Sequence, residues 1–209
     1  MEKIFTFAEN IETNYQSKIQ ILMKKILVFA TAAILLYSCS SSTPKGETAA
    51  TESSQKNIEI TNDMENATAV IPSWINEKTV ISMSNPTAHS GDFACVTDEN
   101  SEYGYAYQEI FKNINSVVPK KVVVSGWVYS TVAAPNLGII LNISENNQQY
   151  DWKTYPLADN IKEIGKWVEF STSFYFEKPL NENQEIRIFP WNQSKKPIYF
   201  DDLKIVFEY

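Results

Sequence analysis

The sequence predicts an all-β protein whose folded part is an antiparallel β-sandwich, and three observations point there. From residue 57 onward, ten short apolar or alternating runs follow one another at the spacing of sandwich or barrel strands. The segments between them carry chain-turning pairs such as Asn85-Pro86, Ser90-Gly91, Pro135-Asn136 and Asn192-Gln193. Apart from 157–164, which has room for a short helical turn, no stretch repeats with the helical period needed for crossovers between parallel strands. An α/β fold is therefore disfavoured.

Residues 1–22 fit poorly at the head of a secretion signal, because Glu2, Glu9 and Glu12 put negative charge where a short basic segment belongs. Met23-Lys24-Lys25 is a better start, so 1–22 is read as a mis-assigned N-terminal extension. The apolar run 26–37 is twelve residues long, whereas a bilayer-spanning helix needs roughly twenty. Leu36-Tyr37-Ser38-Cys39 closes that run, and Ser40-Ser41-Ser42-Thr43-Pro44 follows it. This layout over 23–38 resembles the signal peptide and lipobox of bacterial lipoproteins, although Tyr37 stands where the commonest lipoboxes hold a small residue. The resemblance implies cleavage before Cys39, acylation of its thiol, and a protein anchored in the cell envelope, with the outer membrane as the expected surface. Two or more acyl chains hold a protein lastingly at ~0.8 kcal/mol per buried methylene. An ordinary cleaved secretory signal or a short buried helix is the alternative for the same residues. The stretch after Cys39, up to residue 56, has no bulky apolar side chain and reads as a flexible tether.

The remaining 57–209 suits one domain with a sizeable core. Its runs are 57–60, 79–82, 93–96, 103–111, 121–131, 137–143, 149–155, 166–176, 185–191 and 198–207. Period-two alternation separates the two faces of several of them. Val122, Val124, Gly126 and Val128 share a face, with Ser125, Trp127 and Tyr129 opposite. Leu137, Ile139, Leu141 and Ile143 oppose Ile140, Asn142 and Ser144, while Ile186 and Ile188 oppose Arg187, Phe189 and Trp191. The aliphatic sets are the expected core. Large rings thus stand on the other faces, and rings exposed together mark a binding surface. Cys95, in Phe93-Ala94-Cys95-Val96, reads as a small buried hydrophobe; with Cys39 committed to lipid, no intrachain disulfide is available.

Asn62-Asp63-Met64-Glu65, Trp74, His89-Ser90-Gly91, Val124-Ser125-Gly126-Trp127-Val128, Gly165-Lys166-Trp167-Val168-Glu169-Phe170 and Ile198-Tyr199-Phe200-Asp201-Asp202-Leu203-Lys204-Ile205 follow one another in order. That order resembles the carbohydrate-binding modules of the galactose-binding-like jelly roll, over nearly the whole domain. The resemblance implies non-catalytic glycan binding and places Trp167 in the core. It also implies a structural calcium ion at the sandwich edge, held by Glu65, by carbonyls around Ser90 to Asp92, and by Asp201. Strict alternation puts Asp201 on the inward face with Leu203, Ile205 and Phe207. An inward carboxylate needs a cation or hydrogen-bond donors; backbone amides or Arg187 are the alternatives to calcium.

For a sugar ligand the expected residues are Trp127, Tyr129, Arg187, Trp191, Tyr105 and Tyr107, with Asn142 and Gln108 hydrogen-bonding hydroxyls. Flat rings suit the C–H faces of pyranoses, and a few placed polar groups fix orientation. Core packing is the alternative for each ring.

Charge narrows the partners. The chain carries 18 basic and 25 acidic residues, a net charge of −7, and beginning it at Cys39 makes the balance −8. Such a surface repels phosphate backbones, so nucleic acid is excluded as a partner. His89 is the only histidine, which excludes multi-histidine metal sites. No phosphate loop, dinucleotide fingerprint or Cys-x-x-Cys is present. The expectation is a lipid-anchored, non-catalytic glycan-binding protein. An envelope protein partner meeting the same rings is the alternative, and a glycan-active enzyme the third.

Overall fold

The computed structural model describes residues 56–66, 71–133 and 135–209. The N-terminal extension, the signal segment, Cys39 and the tether up to residue 55 lie outside the described residues.

Strands are numbered along the chain. The first sheet has the order β3 (Val80–Ser82), β4 (Phe93–Thr97), β11 (Ile198–Glu208), β6 (Lys121–Ser130), β9 (Trp167–Tyr175), and β1 (Ile58–Asn62) pairs with the half of β11 that β4 leaves free. The second sheet has the order β2 (Trp74–Ile75), β5 (Ala106–Ile110), β10 (Glu185–Asn192), β7 (Leu137–Glu145), β8 (Gln148–Pro156). Every pairing is antiparallel. The result is the all-β sandwich that the runs predict, and each of the ten runs contains a strand. Two-residue β2 is the addition, and 103–111 divides into a loop, β5 and the start of a one-turn helix, α1 (Phe111–Ile114).

The two sheets bury their aliphatic faces against each other. Val122, Val124 and Val128 of β6 and Phe170 and Phe174 of β9 meet Ile139, Leu141 and Ile143 of β7 and Ile186 and Ile188 of β10, all almost wholly buried. Full burial of such a side chain stabilises the fold by about 1.5–3 kcal/mol. Gly126 lies on the same face because a Cβ there would come within 2.9 Å of Leu203 Cδ2 and 3.3 Å of Phe170 Cζ.

A bulge in β11 changes one expectation. Asp201 opposes Trp127, but Lys204 rather than Leu203 opposes Ser125. The extra residue is accommodated at Asp202, whose φ is 49°; aspartate tolerates this left-handed conformation better than most residues. Inward parity therefore shifts, from Ile198 and Phe200 before the bulge to Leu203, Ile205 and Phe207 after it. Asp201 shares the outward side with its partner Trp127, not the core side where strict alternation places it. It is nonetheless fully buried, because residues 87–92 fold over it.

Candidate functional site

The outer face of the second sheet is built in rows across the strands. Gln108 of β5, Arg187 of β10, Asn142 of β7 and Trp152 of β8 are successive register partners, so their side chains stand side by side. In the next row, Phe189 opposes Ile140, and the two pack with Ala106 into a small second apolar cluster against which Trp191 leans. The β7–β8 hairpin sets this register through Asn146 and Asn147, with φ of 51° and 61°. Two left-handed residues match the twist of a two-residue turn.

Tyr103 completes the aromatic wall. Its loop is held along β10 by hydrogen bonds from Gly104 N to Pro190 O (3.0 Å) and from Asn192 N to Glu102 O (2.8 Å), and Asn76 Nδ2 donates to Tyr103 O at 2.7 Å. The Tyr103 ring is parallel to Trp191, with centroids 6.1 Å apart, and edge-on to Phe189 at 5.7 Å. Trp152 is edge-on to both Phe189 (5.9 Å) and Trp191 (6.0 Å). Tyr103 is 49% exposed, Trp152 37% and Ile75 39%. Between them runs a groove of about 370 Å³ lined by Ile75, Asn76, Tyr103, Gly104, Ala106, Trp152, Arg187 and Phe189. Beneath this face Arg187 Nε, Gln108 Oε1 and Trp191 Nε1 are buried without a hydrogen-bond partner among the described residues. Exposed rings beside a row of polar side chains form a surface that suits a ligand with both apolar and hydroxyl faces.

The outer face of the first sheet is closed over by its own loop. The His89 ring stacks on Trp127 at 3.8 Å and 15°, and Trp167 Nε1 donates to Thr87 O at 3.0 Å. Tyr129 is edge-on to Trp167 and Tyr199, at 5.6 and 6.0 Å. Below them, Asp201 Oδ2 accepts from the His89 and Ser90 amides (2.9 and 3.1 Å), and Oδ1 from the Asp202 amide (2.8 Å). Burial pushes the Asp201 carboxyl up to about 6; the neighbouring Asp202 charge adds to this, and the three amides pull against it. His89 Nδ1 lies 2.6 Å from Asp202 Oδ2, and Ser90 Oγ donates to Asp202 Oδ1 at 2.7 Å. Glu65 Oε1 accepts from the amides of Asp92 (3.0 Å) and Phe93 (2.9 Å). Gly91, at φ 55°, covers that carboxylate so closely that a Cβ would lie 2.2 Å from Glu65 Cδ.

The calcium expectation falls on this loop. Calcium takes six to eight oxygens. Here Glu65 and Asp201 do converge on one loop, but the loop turns N–H groups toward them. Both oxygens of Asp201 and of Asp202 are already engaged, and Ser90 gives its hydroxyl hydrogen to Asp202. Asp92 reaches Glu65 through its amide, not an oxygen. No group of three His, Cys, Asp or Glu suited to a metal occurs among the described residues. As arranged, amide donors offset the desolvation of both carboxylates.

Of the residues expected to bind sugar, Arg187, Trp191 and Asn142, with Gln108, do share one face. Trp127 and Tyr129 belong to the other sheet's outer face, on the far side of the sandwich. Tyr105 and Tyr107 are buried in the core beside Trp74, because β5 turns its odd positions inward and presents Ala106 and Gln108 outward. Trp167, expected in the core, is instead half-buried in the outer cluster. Sequence reasoning missed Tyr103 and Trp152. Nothing in the alternation of 149–155 marks Trp152, whose side is set by pairing with Asn142.

The described domain superposes on the first CBM22 xylan-binding domain of Paenibacillus barcinonensis Xyn10C with a TM-score of 0.50 at 13% identity, covering 72% of this chain and 94% of that one. The fold is the jelly roll of the carbohydrate-binding modules. The second CBM22 xylan-binding domain of the same protein gives a TM-score of 0.46 at 16% identity, over 71% of this chain and 98% of the module. TmCBM61, solved with β-1,4-galactotriose, gives 0.36 at 15% identity, over 70% and 99%. No protein-family model matches the sequence, and no curated protein matches it.

Proposed function

We propose that this module binds carbohydrate without catalysis, in the groove on the outer face of the second sheet. One observation carries the reading: the exposed Tyr103 and Trp152 rings line the same groove as the partly exposed Arg187, which stands in a cross-strand row with Gln108 and Asn142. Pyranose rings offer the matching surfaces, C–H faces for the aromatics and hydroxyls for the polar row. The similar fold of a xylan-binding domain supports the class of ligand. A glycan array probed with the chain tests the proposal. Retention of a defined glycan supports it, and capture of no glycan defeats it.

The module is carried on a lipid anchor at Cys39, in the envelope of a bacterium. The support is the order of basic, apolar and small residues in 23–39. Metabolic labelling with a palmitate analogue should mark the protein, and label that persists after Cys39→Ala would remove the anchor from the proposal.

A further inference from the structure

Among the described residues, Arg187 is the only charged side chain lining the groove. Its one ionic contact among the described residues is loose: Nη2 lies 3.6 Å from Glu185 Oε1, with the arginine side chain 40% exposed. That carboxylate has other donors, Gln108 Nε2 at 2.8 Å on Oε2 and Ser144 Oγ at 3.4 Å on Oε1. The chain as a whole is negative, so attraction for an anion here is local to this side chain and not a general field. An arginine fork pairs with a planar carboxylate through two parallel hydrogen bonds, whereas hydroxyls engage its donors singly.

We propose that the groove selects a sugar bearing a ring carboxylate, a uronic acid, with the carboxylate on the Arg187 guanidinium and the ring face against the Tyr103 or Trp152 wall. The inference rests on the glycan reading above and specifies its ligand. Glu185 competes with the sugar carboxylate for the same guanidinium, and the 3.6 Å separation leaves that competition weak.

The test titrates the full chain with methyl β-D-glucuronide, methyl β-D-glucoside and acetate, following tryptophan fluorescence. The glucuronide should bind about tenfold more tightly than the glucoside, the value of one good charge-assisted contact. Added salt and Arg187→Gln should both close that gap, and Glu185→Gln, which leaves the arginine in place, should widen it. Equal affinity for the two glycosides, or a gap that survives Arg187→Gln while Glu185→Gln does not move it, overturns the uronic acid assignment and leaves the sugar groove standing. Acetate binding as tightly as the glucuronide also overturns it, since the site would then read only an anion. If neither glycoside saturates the signal while the array retains a glycan, the uronic acid assignment fails and the glycan reading stands; if the array is empty as well, both fail.

Discussion

Replacing Trp152 by alanine should weaken glycan binding far more than it weakens the fold. A tryptophan side chain offers up to about 250 Å², and Trp152 is 37% exposed, so about 90 Å² of it is open to a ligand. Covering that area at about 25 cal/mol/Å² is worth about 2 kcal/mol, or roughly thirtyfold in Kd. Its contacts within the protein are the two edge-on ring pairs with Phe189 and Trp191, worth about 0.5–1.5 kcal/mol each. Trp127 is the control, since its face is already taken by His89 at 3.8 Å. Trp127→Ala should cost about 3–5 kcal/mol of stability, as truncating a packed aromatic does, and leave Kd unchanged in whatever protein remains folded. The assay is calorimetric titration of the array-selected glycan into the native chain and both variants, alongside urea unfolding of each. Should Trp152→Ala bind within about threefold of the native chain, or Trp127→Ala lose binding at undiminished stability, the site would belong on the first sheet and the groove assignment would be wrong.

Gly91→Ala should destabilise the domain by about 3 kcal/mol or more, because it combines left-handed strain with eviction of the Glu65 carboxylate from two amides; urea unfolding showing a loss below about 1 kcal/mol would contradict the role given to that cradle. Because amides already satisfy Asp201 and Glu65, saturating calcium and EDTA should give the same melting temperature, and a rise with calcium would show that a cation enters the loop after all. Burial pushes the Cys95 thiol from 9.0 up to about 11, so a thiolate-selective reagent at pH 8 should react only after denaturant is added. The same raised value means that the stability from the buried neutral thiol is complete below pH 9 and is lost, by roughly 2–3 kcal/mol, as pH rises from 9 to 11; Cys95→Ala should remove the slope between pH 9 and 10, leaving the loss above pH 10 that the buried tyrosines cause.

What could be read in advance depended on whether a local pattern or a distant partner decided the outcome. Alternation assigned the faces of β6, β7 and β10 correctly, because where their pairings slip the extra residue lies in the neighbouring strand, in β11 against β6 and in β8 against β7. It also named Arg187, Asn142 and Trp191 as outward. It could not say which sheet an outward residue stands on, since that is fixed by pairings between segments dozens of residues apart. Trp127 and Arg187 accordingly looked like neighbours and lie on opposite faces. Three tyrosines of equal parity, Tyr103, Tyr105 and Tyr107, invited one treatment; yet β5 begins only at Ala106, and the chain before it is held to the end of β10, which leaves Tyr103 outside while the other two enter the core.

Asp201 shows the same limit at the scale of one residue. Every position after it in β11 keeps the parity of Leu203, so counting back two residues places the carboxylate among the core side chains. The bulge at Asp202 breaks that count without a glycine to announce it; the only local trace is the second aspartate itself, a residue that accepts positive φ at modest cost. Its consequence reaches well beyond the strand. Turned outward, Asp201 becomes the acceptor that draws the His89 and Ser90 amides down onto the first sheet, and Asp202, freed by the same bulge, takes the His89 ring and the Ser90 hydroxyl. His89 then covers Trp127, so the one-residue irregularity in β11 closes the first sheet's aromatic face and leaves the second sheet as the face open to a ligand.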